Sequence, residues 1–208
     1  MNILSQVAKG MQENLTKTAD IIARHTGFIK RLRKLSGSGF VQTLLFGWLS
    51  NPQATLEELF QTAATLGKTI TPQGLDKRFT PEAASCLQKV LEASVSTAIA
   101  DEPVAIPILR RFSGVYIQDS STIILPDILA IIWPGCGGSS EKNTSSALKT
   151  QIQLDLNTGK LTGPYLQPGR EHDQNSKIKD LPLPEGSLRI TDLGFFSLEY
   201  FNPLEVPD

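Results

Sequence analysis

Cysteine and histidine are scarce in this 208-residue sequence, which contains two residues of each. Cys86 and Cys136 are too few for a disulfide framework, and alone they cannot supply a zinc site with four protein ligands. We expect both to be small buried or loop residues in a reducing compartment. The scarcity therefore argues against a disulfide-stabilised secreted protein.

Long apolar runs are also missing. No stretch reaches the roughly 18 uninterrupted apolar residues that a membrane-spanning helix requires. Lys9, Glu13 and Lys17 interrupt the N-terminal segment, so it does not match a signal peptide. These absences predict a soluble, cytoplasmic protein without a membrane partner.

Net charge is close to zero, but its distribution is uneven. Residues 1–111 contain 13 Lys and Arg against 9 Asp and Glu, a balance of +4, whereas residues 112–208 contain 7 against 12, a balance of −5. This pattern fits a DNA-gripping segment joined to a metal-dependent catalytic segment. Chance variation explains it equally well.

The first half of the sequence predicts helices. Apolar residues at three- and four-residue spacing mark one helix face: Ile3, Leu4, Val7, Met11, Leu15, Ala19 and Ile22. A break at 36–39 precedes a second apolar segment over 40–49. Thr55 with Glu58 forms a capping box, which predicts a third helix from Leu56 to near Gly67. Thr71-Pro72 and Thr80-Pro81 predict two further helix starts.

Two groups of residues in this half are candidates for DNA binding. The elements over 56–66 and 72–79 have roughly the layout of a helix-turn-helix, although ordinary packing of short helices gives the same spacing. The second element would present Gln73, Lys77 and Arg78 outward, towards bases or phosphates. A denser basic patch consists of Arg24, Lys30, Arg31, Arg33 and Lys34. It can neutralise phosphates, or it can be an ordinary solvated surface.

Two acidic residues stand out in the second half. Asp119 lies in the segment V-Y-I-Q-D-S-S-T and Asp192 in L-R-I-T-D-L-G-F-F, each after a short run rich in β-branched residues. The runs over 114–118 and 187–191 predict strands that end at these aspartates. Carboxylates that meet at the ends of neighbouring strands repel unless a proton or a cation intervenes. The pattern favours Mg²⁺ or Mn²⁺, although aspartates that only cap turns are the alternative.

Between the two aspartates the sequence predicts a hairpin and a short helix. Alternating apolar residues over 147–156 and a returning strand over 160–167 flank the turn Asn157-Thr158-Gly159. A polar stretch over 173–179 predicts the helix. The fold class is therefore α+β, with a helical N-terminal region and a mixed sheet.

Several segments resemble known transposases: Q-D-S-S-T around Asp119, L-K-T-Q-I-Q-L-D-L-N-T-G-K-L over 148–161, the pair His172-Asp173, G-S-L-R-I-T-D-L-G-F-F-S-L over 186–198, and Q-G-L-D-K-R-F over 73–79. Together they resemble the N-terminal half of a bacterial DDE transposase of the insertion-sequence four family. The resemblance implies a DNA-binding region over 1–105 and an incomplete RNase H-like α/β domain over 112–208, with its first and fourth strands side by side.

The function that this resemblance implies is cut-and-paste transposition. Such enzymes cleave double-stranded DNA at terminal inverted repeats and join the freed ends to target DNA, using Mg²⁺ or Mn²⁺ held by three acids. Asp119 and Asp192 match the first two acids, as catalytic residues and metal ligands. The resemblance also implies a homodimer on paired DNA ends, and a cytoplasmic protein that associates with the nucleoid when bound to DNA.

The third acid is a departure from the family pattern. Glu199 and Glu205 lie too close to Asp192 and lack the Y-x-x-R-x-x-x-E context, so we expect the chain to be a fragment. Its alternatives are a catalytically inactive truncated DNA-binding protein that inhibits or modulates transposition, and an unrelated metal-dependent nuclease. The glycine-rich segment over 134–140 lacks the Gly-Lys-Ser/Thr of a phosphate loop. Ser120 and Ser121 have no histidine at a recognisable spacing for a serine hydrolase.

Overall fold

The structure is a computed structural model that describes residues 3–31, 34–101, 107–136 and 145–196. The chain divides into two compact units, Met1–Asp101 and Glu102–Asp208. The described part of the first unit is helical, and the second contains a four-stranded sheet with short 3₁₀ turns. The predicted α+β class with a mixed sheet is confirmed.

The first unit contains a series of helices joined by short turns. They are α1 (Ile3–Glu13), α2 (Ala19–His25), α3 (Gly37–Ser50), α4 (Leu56–Thr65), α5 (Pro72–Asp76) and α6 (Pro81–Asp101). A π-helical turn, Asn14–Thr18, joins α1 to α2, so the predicted first apolar face extends through three consecutive segments. None of the helices in the described ranges is both long enough and apolar enough to cross a bilayer.

Side-chain caps determine where several of these helices begin. Thr55 and Glu58 form the predicted capping box: Thr55 N donates to Glu58 Oε2 at 2.7 Å, and Glu58 N donates to Thr55 Oγ1 at 3.3 Å. The hydrogen bonds from the Thr55 backbone and hydroxyl lower the pKa of Glu58. The break predicted at 36–39 was wrong, because Ser36 accepts a hydrogen bond from Gly39 N at 3.0 Å and caps α3.

The core of the first unit surrounds Phe40, which is completely buried. Its ring lies 4.8 Å from the Phe28 ring and 5.9 Å from the Phe79 ring, measured between centroids. Cys86 belongs to the same core, and burial raises the pKa of its thiol. The predicted role of Cys86 as a small buried residue is confirmed.

Helix α3 approaches α2 closely at its first residue, Gly37. A Cβ atom at Gly37 would collide with Ala23 Cβ and lie 3.0 Å from the carbonyl oxygen of Ala19. Beside this contact, Asp20 Oδ1 accepts a hydrogen bond from Ser38 N at 2.7 Å. The absence of a side chain at Gly37 therefore permits both the close packing and the hydrogen bond.

The sheet of the second unit has the order β3-β2-β1-β4. Its strands are β1 (Val115–Ile124), β2 (Ala147–Asp155), β3 (Leu161–Pro168) and β4 (Leu188–Ile190). Strands β1, β2 and β3 pair antiparallel, whereas β1 and β4 pair parallel. The predicted hairpin is confirmed. The predicted helix over 173–179 is only a 3₁₀ turn, Asp173–Asn175.

The two faces of this sheet have an unusual distribution of polarity. Gln118, Gln151 and Gln153 lie on one face and are 2%, 0% and 5% exposed. Ile117 and Ile152 lie on the other face and are 37% and 38% exposed. The segment after β3 covers the polar face, since Asp173 accepts a hydrogen bond from Gln151 Nε2 at 3.3 Å. The apolar face, which also carries Asp119, is the more open of the two.

We predict that Gly37→Ala destabilises the protein. Glycine-to-alanine changes in helices usually stabilise by up to about 1 kcal/mol, but overpacking against Ala23 should reverse the sign and cost roughly 1–3 kcal/mol. Urea unfolding of the full chain measures the difference. The matched control is Gly39→Ala, whose methyl group would meet Ser36 Oγ and the ends of the Leu35 and Lys68 side chains, each at 3.2 Å. Equal unfolding free energies for the two variants would contradict the packing argument.

Candidate nucleic-acid and metal sites

The two basic groups predicted from the sequence meet at one surface of the first unit. Lys30 and Arg31 line an open cavity of about 550 Å³ together with Lys77 and Arg78. Arg78 also lines a second cavity, of about 330 Å³, with Lys34. We call these five residues the basic surface. Segments far apart in the chain thus contribute to one concentration of positive charge.

The charge of the larger cavity is strongly positive despite one carboxylate. Glu82, in the first turn of α6, lines the cavity beside the four cations. Hydrogen bonds from its own backbone and from the Thr80 side chain lower the pKa of Glu82, and the charge of Lys30 lowers it further. Four cations against one carboxylate leave a balance of +3. Such a surface attracts polyanions, above all a phosphate backbone.

The predicted helix-turn-helix was wrong in its second element. Helix α5 ends at Asp76, so Lys77 and Arg78 lie in the turn that follows it. The chain leaves the helix because Phe79 packs on Phe40 and the next residue must stay extended before a proline. A five-residue helix is too short to lie along a major groove as a recognition helix.

The remaining predicted DNA-binding residues take different positions. Arg24 and Gln73 are exposed, but they line neither of the two cavities. Arg33 lies outside the described residues. The sequence alone could not indicate which cations converge, because convergence depends on how α2, α5 and α6 pack around Phe40.

In the second unit, parallel pairing places the two predicted aspartates at equivalent positions. The register pairs Val115 with Leu188 and ends where Ile117 pairs with Ile190. Asp119 and Asp192 each lie two residues beyond that last pair. Equivalent positions do not put the two carboxylates on one face, however: Asp119 lies on the apolar face of β1, whereas β4 ends at Ile190 and Asp192 lines a pocket with Gln118 of the polar face. The predicted adjacency of the first and fourth strands is confirmed.

The position of Asp119 within its strand differs from the prediction. Strand β1 does not end at Asp119 but continues to Ile124. Strand β2 pairs with it as far as Ile124, and Ile152 of β2 lies opposite Asp119. Only the parallel partner β4 stops near this point. Asp119 is exposed, and its Oδ1 accepts a hydrogen bond from Ser120 N at 2.8 Å. Its carboxylate is therefore directed from the middle of a strand, which is more rigid than a loop.

Asp192 caps the 3₁₀ turn Leu193–Phe195 by accepting a hydrogen bond from Gly194 N. The alternative prediction, that this aspartate caps a turn, is thus confirmed for Asp192 Oδ1. A Cβ atom at Gly194 would lie 2.9 Å from Asp192 Oδ1 and 3.2 Å from Asp173 Oδ2. Two carboxylates therefore flank Gly194, and the turn leaves no room for a side chain there.

Lys149 neutralises the second of these carboxylates. Its Nζ lies 3.1 Å from Asp173 Oδ1 and donates to the carbonyl oxygen of Glu171 at 2.7 Å. The two side chains of the pair are only 12% and 21% exposed, so solvent screens their attraction weakly. The sequence singled out Asp173 without indicating its role, and it gave no prediction for Lys149. The alternation along β2 puts Lys149 on the same face as Gln151, which was the available signal.

In the part of the chain that the structure describes, the two aspartates do not belong to a complete protein-bound metal site. Within the described ranges, no three His, Cys, Asp or Glu side chains are grouped closely enough to hold a metal. Mg²⁺ often binds through one or two carboxylates, completing its shell with water and substrate phosphates. Asp119 and Asp192 are the residues that would supply such carboxylates. Glu199 and Glu205 lie outside the described residues.

Comparison with known proteins identifies relatives over most of the chain. The transposase for insertion sequence element IS231B of Bacillus thuringiensis subsp. berliner is 30% identical over 189 residues, which cover 88% of this chain and 38% of the relative. The IS231F transposase of Bacillus thuringiensis subsp. israelensis is 29% identical, with 88% and 39% covered. The IS231E transposase of subsp. finitimus is 28% identical, with 97% and 42% covered.

The chain is related to insertion-sequence transposases. It spans less than half the length of the curated relatives it matches. No family model matches the chain. No solved structure matches it either. The relationship confirms the resemblance to insertion-sequence transposases, while the RNase H-like assignment and the roles of the individual aspartates stay predictions.

His172 and the glycine-rich segment do not add to either candidate site. His172 is exposed and immediately precedes the 3₁₀ turn at Asp173. Of the glycine-rich segment over 134–140, residues 134–136 are described, with Cys136 exposed as a loop residue. Its predicted position in a loop is confirmed.

We predict energetic coupling between Lys149 and Asp173, because either residue alone leaves a mostly buried charge without its partner. Lys149→Met and Asp173→Asn should each destabilise the protein. The double variant should cost less than the sum, by roughly 0.5–3 kcal/mol. A double-mutant cycle measured by urea unfolding tests this. Lys160→Met is the control, since this lysine is exposed and its effect should add to that of Asp173→Asn. Additivity for Lys149 as well would contradict the coupling.

Proposed function

We propose that this chain is the part of an insertion-sequence transposase that binds the terminal inverted repeats and supplies two catalytic aspartates. The relatives, each named as a transposase, support this proposal over most of the chain. The observation that carries it is the parallel pairing of β1 with β4, which sets Asp119 and Asp192 at equivalent positions. Target DNA as a second substrate, and a homodimer on two paired ends, are part of the same proposal.

The proposed DNA contact is made by the basic surface. Lys30, Arg31, Lys77 and Arg78 would neutralise phosphates and release their counterions, which makes binding depend steeply on salt. Phosphate contacts position a protein on DNA without reading its sequence. Gln73 is exposed and precedes Lys77 and Arg78 in the chain. Glutamine is a residue type that can hydrogen-bond to a base edge. Repeat specificity is therefore assigned to the Gln73 side chain and general affinity to the cations.

The proposed chemistry is phosphoryl transfer at a phosphodiester. A bound Mg²⁺ or Mn²⁺ would supply charge neutralisation and orientation of the attacking and leaving oxygens. The protein's own contribution is positional: β1 holds the Asp119 carboxylate on a paired strand, and the turn after β4 holds that of Asp192. Lys149 keeps the neighbouring Asp173 neutralised, so that this third negative charge does not oppose the incoming phosphate.

Replacing two members of the basic surface tests the DNA-binding part. Lys77→Ala/Arg78→Ala should weaken binding to repeat and random duplexes alike and lower the slope of log K against log salt by about 2, roughly one for each lost phosphate contact. Fluorescence anisotropy over a salt series measures both quantities.

The matched control for this pair is Lys9→Ala/Lys17→Ala, which removes the same charge from exposed positions in the first two helical segments. Circular dichroism establishes that both double variants fold. If the control lowers the salt slope as much as the Lys77/Arg78 pair, the effect is one of net charge and the basic surface is not the DNA contact.

The metal-dependent part is tested at the two aspartates. Asp119→Asn and Asp192→Asn should each weaken Mn²⁺ binding about tenfold or more, because each removes a charged ligand. Mn²⁺ electron paramagnetic resonance with repeat DNA present measures the affinity. The control is Asp127→Asn, an exposed aspartate whose hydrogen bond from Ser145 the amide oxygen can retain. Unchanged affinity in either test variant would remove that aspartate from the site.

A further inference from the structure

A pocket of about 240 Å³ lies beside Asp192 in the second unit. Gln118 of β1 lines it, together with Lys179 and the aromatic residues Phe195 and Phe196. This volume is below the range typical of drug-sized ligands, about 300–1,000 Å³, and suits a smaller planar group. The pocket therefore adjoins the proposed catalytic site without being lined by Asp119.

Gln118 is the decisive residue of this pocket. Its side chain is 2% exposed, and neither Nε2 nor Oε1 has a hydrogen-bond partner among the described residues. Burying an amide without hydrogen-bond partners destabilises a folded protein. Native proteins satisfy the large majority of their buried polar atoms. The unsatisfied amide thus points to a ligand that completes its hydrogen bonds.

The chemistry of the amide restricts what that ligand can be. Gln118 offers a donor and an acceptor side by side, so its ligand must present an acceptor and a donor at the same spacing. Phosphate oxygens only accept and leave Oε1 unsatisfied. A nucleobase edge matches, and the bidentate pair of glutamine with adenine N7 and N6 is the standard example. Phe195 and Phe196 supply aromatic surface, while Lys179 supplies a cation for the attached phosphate.

We propose that this pocket receives one unstacked base of the DNA strand, with adenine as the best match, and that Gln118 reads its edge. The inference rests on the proposed function, because it makes the pocket a subsite for the DNA that is cleaved. A base held here would fix the strand relative to Asp192, which lines the same pocket. Gln118 would then determine specificity at one position.

The test uses duplexes with a single unpaired adenine, cytosine, guanine, thymine or abasic site. The wild-type chain should bind the adenine duplex about tenfold more tightly than the abasic one, a typical value for one bidentate contact. Gln118→Leu keeps the volume, removes the amide and should bind all five equally. Its fold should survive, since replacing an unsatisfied buried amide by an apolar group removes a cost. The matched control is Gln167→Leu, a half-buried glutamine of β3 that does not line the pocket and should retain the preference.

Deoxyadenosine monophosphate provides a second measurement that does not require duplex binding. Its addition should shift the NMR signal of the Gln118 side-chain amide and leave that of Gln167 unchanged. Equal binding of all five duplexes by the wild type, or an unchanged preference in Gln118→Leu, would overturn the inference while leaving overall DNA affinity, and thus the proposed function, intact. Loss of duplex binding with the nucleotide shift preserved would instead contradict the proposed function and keep the pocket. Absence of both signals would overturn the pocket.

Discussion

The short parallel ladder between β1 and β4 is the constraint on which the second unit depends. It joins Val115–Ile117 to Leu188–Ile190, segments far apart in the chain, and so carries a large loop-closure cost. Three side-chain hydrogen bonds outside the ladder support it. Ser113 Oγ donates to the carbonyl oxygen of Glu185 at 2.6 Å, and the Arg189 guanidinium donates to the carbonyl oxygens of Lys179 and Leu181. If this ladder slipped by one residue, Asp119 and Asp192 would no longer lie at equivalent positions in the two neighbouring segments.

The same ladder explains why the polar face of the sheet is the covered one. Arg189 projects on the face of Gln118, and its two carbonyl partners hold the segment after β3 against that face. Lys149 and Gln151 attach the same segment through Asp173. The covering segment is thus fastened by hydrogen bonds and one ion pair in addition to the completely buried side chain of Ile178. Such contacts are directional, which suits a region that must hold carboxylates and a base-sized pocket in fixed positions.

Much of the fold could be predicted because the relevant signals are local. The Thr55–Glu58 capping box fixes the start of α4, and the alternation over 147–156 with a following Asn-Thr-Gly turn fixes the hairpin. The failures came from tertiary contacts. Helix α5 stops early because Phe79 packs on Phe40, and β1 continues past Asp119 because β2 supplies partners as far as Ile124. The residues at the end of α5 and around Asp119 do not show that Phe40 or β2 will pack beside them.

The candidate sites follow the same division between local and long-range information. The two aspartates could be predicted because each follows a recognisable run rich in β-branched residues, and the parallel register places them at equivalent positions. The basic surface was found only as two separate groups, since their meeting depends on the packing around Phe40. The sequence did not predict a functional role for Gln118, because a glutamine within a run of β-branched residues is expected to face solvent in an alternating strand. Only the covering of the polar face by the segment through Asp173 turns that position into an interior one. The proposed base pocket therefore depends on the burial of the polar face. That burial results from the way the segment after β3 packs against the sheet, and no single sequence motif predicts it.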